Sequence, residues 1–406
     1  MKKIILFPGT IDSPFFLNEI EYLKKEFEIM KVFTYQGDLK KFEEISKKYN
    51  FSYEIIPNIK FSSLFSFNFI KWFFSKDVLK EIKRNFSFNK KGVGRLKYIL
   101  FYGNFCISSY KKINELLKKL KENEIYFYSF WLSRGAYAIS YYKNQNYKKN
   151  LIIKTVSRAH GYDLYEDRNN LNYLPFRECI NNNLDKICFI SENGKKYFEE
   201  KYKFDSVNKY FVSKLGTENK LSLKKIIKEK EKICIASCSS IIDVKRLDLI
   251  IDILSQLNID FYWIHIGTGE LEEKIRKYAS KKLKKENYKF LGIIDNSKIL
   301  QTYIDYDVDY FINMSDSEGI PVSIMEAISL GIPCIARNVG GISEIINNEC
   351  GLLLIDIKAD TINEFLNLRL ENIKKYQELS KNSLEKWEKN YNAERNYINF
   401  FENIEL

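Results

Sequence analysis

Two glutamates lie eight positions apart around the predicted start of a helix. The segment reads E-G-I-P-V-S-I-M-E from Glu318 to Glu326 and follows the apolar run V-D-Y-F-I-N. Proline is tolerated in the first turn of a helix, because its missing N–H would have no partner there, so we expect the helix to begin at Pro321 or Val322. A helix start attracts anions such as a diphosphate, and a carboxylate accepts hydrogen bonds from sugar hydroxyls. The segment therefore predicts a site for a phosphorylated sugar.

The longer sequence around the glutamates narrows this interpretation. Taken alone, their spacing favours capping of the helix dipole by Glu318 and a solvated Glu326. The run E-G-I-P-V-S-I-M-E-A-I-S-L-G-I-P-C-I-A, followed by V-G-G-I-S-E-I-I, resembles the donor-site motif of the family-4 retaining glycosyltransferases, with its E-x7-E pair. The segments R-A-H-G-Y-D, S-S-I-I-D-V-K-R, H-I-G-T-G-E-L and F-L-G-I-I-D-N resemble that family in the same order. The resemblance covers residues 126–355 and implies an α/β GT-B fold, with two Rossmann-like domains facing across a cleft.

The resemblance also implies a role for each matching residue. It implies that Glu326 binds the ribose of the nucleotide and that Glu318 binds hydroxyls of the donor sugar. Lys245 would neutralise the departing diphosphate, and His160 would contact the donor sugar from the other domain. Glu318, His160 and Lys245 are thus the expected catalytic residues. The other expected donor-binding residues are Gly319, Ile320, Pro321, Val322, Ser240, Arg246, Gly267, Gly269 and Ile293.

The loop that carries Lys245 departs from the family pattern. Ser240 stands where the family has an arginine, and Arg246 follows Lys245 directly. A fixed cation stabilises the charge that develops on a leaving diphosphate, so Arg246 is a candidate replacement from a different direction. Two alternatives stay open: a degenerate, non-catalytic binding subunit, and a nucleotide-sugar epimerase or hydrolase on the same fold.

Fewer residues of the N-terminal half suggest a chemical role. His160 follows a predicted strand and opens the H-G-x-D segment, beside Gly161 and Asp163, which favours a crevice position over a purely structural role. The aromatic run that ends at Arg134 suits core packing, with ligand contact as the alternative. The acceptor-side candidates are Gly9, Thr10, Trp131, Arg134 and Asp163.

Asp307 and Asp309 spell D-x-D, a pattern that elsewhere holds a metal with a nucleotide sugar. Here the pattern enters a predicted strand, in which side chains alternate between faces, so we expect no metal. We expect no other cofactor, since the nucleotide sugar is a substrate. His265 lies within a predicted strand and is expected to be buried.

Short apolar runs alternate with amphipathic helical segments in both halves, which is typical of parallel α/β units. The predicted strands are KIILF, EIMKVF, SYEIIP, IYFYSF, LIIKTV, KICFI and KYFVS in the first half, and KICIAS, FYWIHIG, YKFLG, VDYFIN, PCIA and GLLLI in the second. The charged segment 217–231 is the predicted linker. We expect an N-terminal acceptor domain over residues 1–216 and a donor domain over 217–388. The resemblance implies that a final helix at about 389–406 packs back on the first domain.

Size and charge limit the partners. A chain of 406 residues suits two domains. Its net charge of +12 comes without a zinc-finger, zipper or RNA-binding signature, so we expect phosphorylated ligands or an anionic membrane rather than nucleic acid. The stretch 61–105 interleaves aromatic residues with Lys and Arg, as in an interfacial helix on anionic lipid or a packed helix pair. The seven cysteines include no C-x-x-C pair, which favours reduced thiols.

The resemblance implies a retaining hexosyltransferase, and the lack of clustered metal ligands in the sequence predicts that it is metal-independent. We expect it to use a nucleotide sugar, UDP-linked, and a glycan or lipid-linked acceptor. The expected process is bacterial cell-surface polysaccharide synthesis, such as that of capsule or lipopolysaccharide. The apolar run after the initial Met-Lys-Lys is too short for a signal peptide, so we expect a cytoplasmic protein, at most peripheral at the inner face of the plasma membrane.

Overall fold

The structure, a computed structural model, describes residues 1–35, 37–57, 66–118, 120–146, 151–205, 208–219, 227 and 230–405. The chain divides into two units, Met1–Ser213 with Tyr397–Leu406, and Lys214–Asn396. The sequence placed these divisions at 216 and 388. Thr217 belongs to the second unit because its N–H donates to Tyr391 O at 2.9 Å and its carbonyl accepts from Ala393 N at 3.1 Å. Most of the predicted linker, residues 220–226 and 228–229, lies outside the described residues.

A seven-stranded parallel sheet forms the centre of the first unit. Its strands are β1 (Lys2–Gly9), β2 (Phe27–Thr34), β3 (Tyr53–Ile55), β4 (Glu124–Ser129), β5 (Ile152–Ala159), β6 (Lys186–Phe189) and β7 (Tyr210–Val212). They lie in the order β3-β2-β1-β4-β5-β6-β7, and each neighbouring pair is parallel. A parallel sheet is covered on both faces. This explains why four consecutive residues of β1, 4–7, are all apolar and buried.

Helices follow most of these strands. They are α1 (Pro14–Glu26), α2 (Leu39–Tyr49), α3 (Phe67–Phe73), α4 (Lys76–Asn85), α5 (Lys90–Leu117), α6 (Arg134–Asn146), α7 (Arg177–Asn183) and α8 (Glu192–Tyr202). The stretch 61–105, predicted as an interfacial helix or a helix pair, contains α3, α4 and the first half of α5. Its residues 61–65 lie outside the described part.

The second unit contains a six-stranded parallel sheet in the order β10-β9-β8-β11-β12-β13. Its strands are β8 (Ile233–Cys238), β9 (Phe261–Ile266), β10 (Tyr288–Gly292), β11 (Tyr310–Asn313), β12 (Cys334–Arg337) and β13 (Gly351–Leu354). Its helices are α9 (Leu247–Leu254), α10 (Glu272–Lys282), α11 (Ile299–Asp305), α12 (Val322–Ile328), α13 (Ile342–Ile345), α14 (Ala359–Glu371) and α15 (Ile373–Asn390). Each apolar run that was predicted to be a strand contains one, in both units.

The last helix, α16 (Ala393–Glu405), begins in the second unit and ends in the first. Its aromatic side chains explain the change of unit. The ring of Tyr397 lies 4.9 Å from that of Tyr22, and the ring of Phe401 lies 5.9 Å from that of Phe27. These contacts pack the end of the chain against α1 and the start of β2, as the sequence predicted for a C-terminal helix. Among the described helices, none is both long and apolar enough to cross a membrane.

The sequence predicted that the D-x-D segment enters a strand, and this prediction is wrong. Strand β11 begins at Tyr310, so Asp307 and Asp309 precede the strand rather than alternate along it. Asp309 is fully buried and accepts hydrogen bonds from Arg369 Nε at 2.9 Å and from Cys234 N at 2.9 Å. The ammonium of Lys230 lies 2.6 Å from the same carboxylate. Its oxygens are therefore engaged in holding α14 and β8.

Candidate active site

Two predicted catalytic residues meet where the strand order of the second sheet reverses. Strands β8 and β11 are neighbours there, and ligands of such sheets bind beyond the carboxyl ends of strands at this reversal. The loop after β8 ends in a short 3₁₀ turn that carries Lys245, and the loop after β11 carries Glu318. Lys245 Nζ lies 2.6 Å from Glu318 Oε1, and Asn313 Nδ2 lies 3.4 Å from the same oxygen. The fold thus places an amine and a carboxylate at one position.

The segment after Glu318 forms the predicted helix start. Pro321 is the N-cap of α12, and the helix begins at Val322, as the sequence predicted. Ile320 is buried, whereas Gly319 is half-buried. Gly341 N donates to Gly319 O at 3.0 Å, and a Cβ at position 341 would lie 2.6 Å from that oxygen. The loop after β12 therefore supports the helix start. The short distance between its backbone and Gly319 explains why the second glycine of V-G-G, Gly341, has no side chain.

Glu326 has surroundings different from those of Glu318. It lies on α12, is half-buried, and its burial raises its pKa from 4.5 to about 7. Its charge acts on Cys238 at the end of β8 and on Tyr303 of α11, and adds to the rise in pKa that burial gives both groups. The two glutamates of the motif are thus chemically distinct: one is paired with an ammonium, the other sits among weakly polar groups.

The remaining cations near Lys245 are held by carboxylates. Arg246 Nη2 lies 3.1 Å from Asp248 Oδ2, and Arg246 Nη1 lies 3.3 Å from Asp316 Oδ1. Arg337, at the end of β12, also binds Asp316. Ser240 is exposed, and its carbonyl accepts from Ile242 N at 3.1 Å. Arg246 therefore joins the loops after β8 and β11, rather than presenting an unpaired charge in place of the family's arginine.

The sequence analysis missed Asp316, Arg337 and Asn313. Each follows or ends a predicted strand at the sheet edge that carries Lys245, and that position is the signal which could have identified them. Asp316 N also donates to Val244 O at 2.8 Å, which fastens the two loops by their backbones.

The glycine turn after β9 packs against the loop after β8. Gly267 has φ +131°, and a Cβ there would lie 2.0 Å from Ser239 O. A Cβ on Gly269 would lie 2.4 Å from Ile241 O, and Ile241 N donates to Thr268 O at 2.9 Å. Only a residue without a Cβ can lie this close to the neighbouring backbone. Gly267 and Gly269, both predicted to bind the donor, therefore lie directly beside the loop of Lys245.

Two residues near this turn differ in exposure. Ile293 follows β10 and is 81% exposed, so its side chain is accessible to a ligand. His265 on β9 is fully buried, with Nδ1 2.9 Å from Ser237 Oγ, and burial lowers its pKa to about 4. His265 is therefore buried within its strand, as the sequence predicted.

In the first unit, the acceptor-side candidates cluster where its sheet order reverses, between β1 and β4. Trp131 Nε1 donates to Pro8 O at 2.9 Å, and the Trp131 ring packs over Gly9. Thr10 and Arg134 are half-buried. The guanidinium of Arg134 lies 3.9 Å from the ring centre of Tyr35, a residue that the sequence analysis did not single out.

His160 lies in the same cluster. Its ring centre is 4.4 Å from that of Trp131, and its backbone N–H donates to Asp163 Oδ1 at 2.9 Å. Burial lowers the pKa of His160, although the nearby Asp163 carboxylate opposes the change. Asp163 Oδ2 accepts from Leu132 N at 2.6 Å, so this aspartate joins the loops after β4 and β5. Buried Arg177, which no sequence signal indicated, donates to the carbonyls of Leu132 and Asp163.

A cavity of about 620 Å³ lies beside the paired loops, between α9 and α10. Arg246, Asp316, Lys274 and Tyr278 are among its lining residues, whereas Glu318 and Glu326 are not. The two glutamates of the motif therefore lie outside this cavity, whereas Arg246, another predicted donor-binding residue, lines it.

Comparison with known proteins gives a family match in the second unit. Residues 219–386 match the family model of glycosyl transferases, group 1. The matched segment lies within the unit that carries Lys245, Glu318 and Glu326.

Relatives of the chain act in polysaccharide synthesis. It is 35% identical over 135 residues to the O-antigen biosynthesis glycosyltransferase WbnH of Escherichia coli, covering 33% of this chain and 36% of WbnH. It is 28% identical over 182 residues to O-antigen biosynthesis glycosyltransferase WclY of the same organism, covering 43% of this chain and 48% of WclY. The matches thus span about a third to a half of these relatives.

Solved structures resemble the whole chain. Anabaena HepE in complex with UDP and glucose gives a TM-score of 0.68 at 14% identity over 100% of both chains. The lipopolysaccharide outer core galactosyltransferase WaaB, in its apo form, gives 0.69 at 16% identity over 100% of this chain and 99% of that one. At these identities the likeness shows the fold, and it confirms the predicted GT-B class with two Rossmann-like domains.

Proposed function

We propose that the protein is a glycosyltransferase that moves a hexose from a UDP-sugar to a glycan or a lipid-linked acceptor during synthesis of a cell-surface polysaccharide. The ion pair of Lys245 and Glu318 carries this proposal. It lies where the strand order of the second sheet reverses, between β8 and β11. The O-antigen roles of WbnH and WclY and the UDP and glucose bound to HepE support the acceptor and donor classes.

The proposed reaction exchanges one C–O bond for another. The bond between the anomeric carbon and the diphosphate breaks, and the acceptor oxygen forms a new bond on the same face, so that the configuration is retained. The acceptor proton goes to the departing phosphate oxygen. Lys245 stabilises the charge that develops on the diphosphate, and the backbone N–H groups of Gly319, Ile320 and Val322 add to this stabilisation. Glu318 binds sugar hydroxyls beside the reacting carbon, and Glu326 binds the ribose.

The ion pair has a further consequence in this proposal. Before the donor binds, Glu318 neutralises Lys245, so neither group is left half-buried with an uncompensated charge. When the diphosphate arrives, Lys245 exchanges part of its contact with Glu318 for contact with phosphate oxygens. Glu318 then accepts from the donor sugar, which couples recognition of the sugar to neutralisation of its leaving group.

We propose that the transfer needs no metal ion. The proposal rests on Lys245 as the cation at the diphosphate and on the engagement of Asp309 by Arg369 and Lys230. In the first unit, Gly9, Thr10, Trp131 and Arg134 would contribute to the acceptor side, with Asp163 holding their loops. His160 keeps its predicted role as a contact of the donor sugar. We also propose that the enzyme is cytoplasmic and works peripherally at a membrane.

The test is a thermal-shift screen of UDP, GDP, ADP and their hexose conjugates in the presence of a chelator. We expect UDP and one UDP-hexose to stabilise the protein by about 2.7 kcal/mol at a hundred times Kd. Glu326→Ala should lose this shift, whereas Glu364→Ala, an exposed glutamate of α14, should keep it. The absence of any nucleotide shift would refute the donor site.

The degenerate binding subunit is a second candidate, because Ser240 leaves the place of the family's arginine without a cation and Arg246 is engaged by Asp248 and Asp316. Release of hexose from the UDP-hexose that binds separates the candidates. Transfer that requires an acceptor supports the transferase, release without acceptor supports a hydrolase, and binding without release supports the subunit.

A further inference from the structure

The exposed large apolar side chains of the described residues are concentrated in one part of the first unit. Seven of the fifteen lie within residues 67–101, on α3, α4, the start of α5 and the loop between α4 and α5. We call these helices' exposed surface the α3–α5 face. Its apolar members are Phe67, Ile70, Phe74, Leu79, Phe88, Val93 and Phe101. Phe67 is 80% exposed and Phe88 98%. Single exposed apolar residues are normal on a protein surface, whereas a group of them indicates an interaction site.

The exposed residues follow the periodicity of the helices. On α3 and its C-cap, the outward positions are Phe67, Ile70, Lys71 and Phe74, spaced i, i+3, i+4 and i+7. The inward face of α3 is firmly held: Trp72 is buried, and its Nε1 donates to Tyr137 Oη at 2.8 Å. Helix α3 therefore carries large apolar residues on its exposed face as well as on its buried face.

A second stripe runs along the first turns of α5. Val93, Lys97 and Phe101 are exposed at spacing i, i+4 and i+8, so they lie on one side of the helix. Helices α3, α4 and α5 pack against one another, which brings the two stripes into one helical layer.

The face is strongly basic. Residues 67–101 contain nine Lys or Arg against two acidic residues. Lys80 and Arg84 bind Glu178, and Arg95 donates to Leu171 O at 3.1 Å. Six lysines remain exposed, and within the described chain none forms an ion pair: Lys71, Lys76, Lys83, Lys90, Lys91 and Lys97.

We propose that the α3–α5 face docks on an anionic lipid bilayer. Phenylalanine and isoleucine side chains would enter the boundary between headgroups and acyl chains, while the lysines bind anionic headgroups. Charge favours this occupant over a second copy of the chain, because a symmetric contact would bring two sets of lysines together. This surface extends the proposed function, and rests on it only for the lipid-linked acceptor that docking would bring near the site.

The first experiment measures sedimentation of the full chain with vesicles of zwitterionic lipid, with and without an anionic phospholipid. We expect binding to the anionic vesicles that is at least tenfold tighter, and that weakens with added salt because screening shortens the reach of the lysines. Equal binding to both vesicle types, or binding to neither, would overturn the proposal.

Two matched pairs of variants test the surface itself. The apolar variant F67Q/I70Q/F74Q should weaken vesicle binding at least tenfold, whereas L39Q/I152T/I398Q, three exposed apolar residues elsewhere in the first unit, should not. The charge variant K71Q/K76Q/K83Q should also weaken it, whereas K40Q/K41Q/K47Q on α2 removes the same charge and should not. Equal losses in test and control variants would show that the location is wrong.

Two further readouts separate the other outcomes. If F67Q/I70Q/F74Q converts a dimer to a monomer in lipid-free sedimentation velocity, the face is an interface between copies and the proposal fails. The UDP thermal shift should be unchanged in all four variants. Vesicle binding without any UDP shift would refute the donor site while supporting the docking face, so the two failures are distinguishable.

Discussion

The amine of Lys245 lies 2.6 Å from Oε1 of Glu318, although the two residues are 73 positions apart in the chain. The pair is partly buried, with side-chain exposures of 24% for the lysine and 10% for the glutamate. Adjacent parallel strands deliver both loops to one sheet edge, so the contact follows from the strand order rather than from sequence proximity. If the proposed function is right, the two members of the pair have separable roles.

Replacing Lys245 with methionine should weaken the binding of UDP but not that of uridine. The amine contacts the diphosphate in the proposed complex, and methionine keeps most of the side-chain volume. We expect at least a tenfold rise in Kd for UDP by calorimetry and about a 100-fold fall in kcat, comparable to losing one donor to a developing anion. Lys374→Met, at an exposed lysine of α15, is the control. Equal losses for UDP and uridine would contradict a phosphate-specific role.

Replacing Glu318 with glutamine should have the opposite profile. The change frees Lys245 from its carboxylate, so UDP affinity should be kept or improved, whereas kcat should fall because the sugar loses its acceptor. The measurement is UDP binding and UDP-hexose turnover on the same preparation. A parallel loss of both would mean that Glu318 acts only by positioning Lys245.

Glu326 should make stability depend on pH in the acidic to neutral range. Burial raises its pKa from 4.5 to about 7, so between these values the folded protein holds a proton that the unfolded chain has lost. The free energy of unfolding should therefore fall as pH rises from about 4.5 to 7, by about 3 kcal/mol in total, and level off above.

The control for this titration is Glu326→Gln, which removes the proton while keeping the shape. Urea unfolding at pH 5 and pH 8 should show wild type losing stability relative to the variant at the higher pH. Glu364→Gln, an exposed change on α14, should track wild type at both values. Parallel pH curves for wild type and Glu326→Gln would place the pKa of Glu326 near its ordinary value.

Asp309 should contribute to stability and not to metal binding. Asp309→Asn leaves Arg369 and Lys230 without their carboxylate, and an uncompensated buried cation costs about 3 kcal/mol. Asp307→Asn, next to it and 41% exposed in its side chain, should cost less than about 1 kcal/mol. Guanidinium unfolding measures both. Stabilisation of wild type by Mg²⁺ or Mn²⁺ that Asp309→Asn abolishes would instead support a metal site.

The sequence predicted the strands well because their apolar runs carry the fold. The resemblance to the family assigned Lys245 and Glu318 to one donor site, but their direct contact was not predicted. The direction of Arg246 could not be predicted in this way. Its backbone is left-handed, with φ +50°, and Asp248 and Asp316 then compete for its guanidinium at distances that only the folded chain sets.

The surroundings of individual side chains and the exact strand ends could not be predicted from the residue pattern either. The raised pKa of Glu326 depends on packing near Tyr303 and Cys238, which come from α11 and β8. Asp163 looked like a ligand contact in H-G-x-D, but both of its oxygens accept backbone N–H groups. The start of β11 at Tyr310 likewise changed the interpretation of D-x-D, because strand ends depend on pairing with β8 and β12.

The last prediction compares two glycines with positive φ in the second unit. Gly267 has φ +131° and a Cβ would lie 2.0 Å from Ser239 O, whereas Gly292 has φ +74° with open space around the added atom. Gly292→Ala should therefore cost only the backbone strain, about 1 kcal/mol. Gly267→Ala adds a backbone clash and should cost about 3 kcal/mol or more.

The two alanine variants should also differ in ligand binding. Relief of the clash at position 267 must displace the loop of Ser239, which leads to Lys245, so Gly267→Ala should weaken UDP binding at least tenfold. Gly292→Ala leaves that loop in place and should bind UDP like wild type. Thermal unfolding with and without UDP measures both effects. Equal UDP affinity in the two variants would show that the glycine turn does not position the Lys245 loop for the diphosphate.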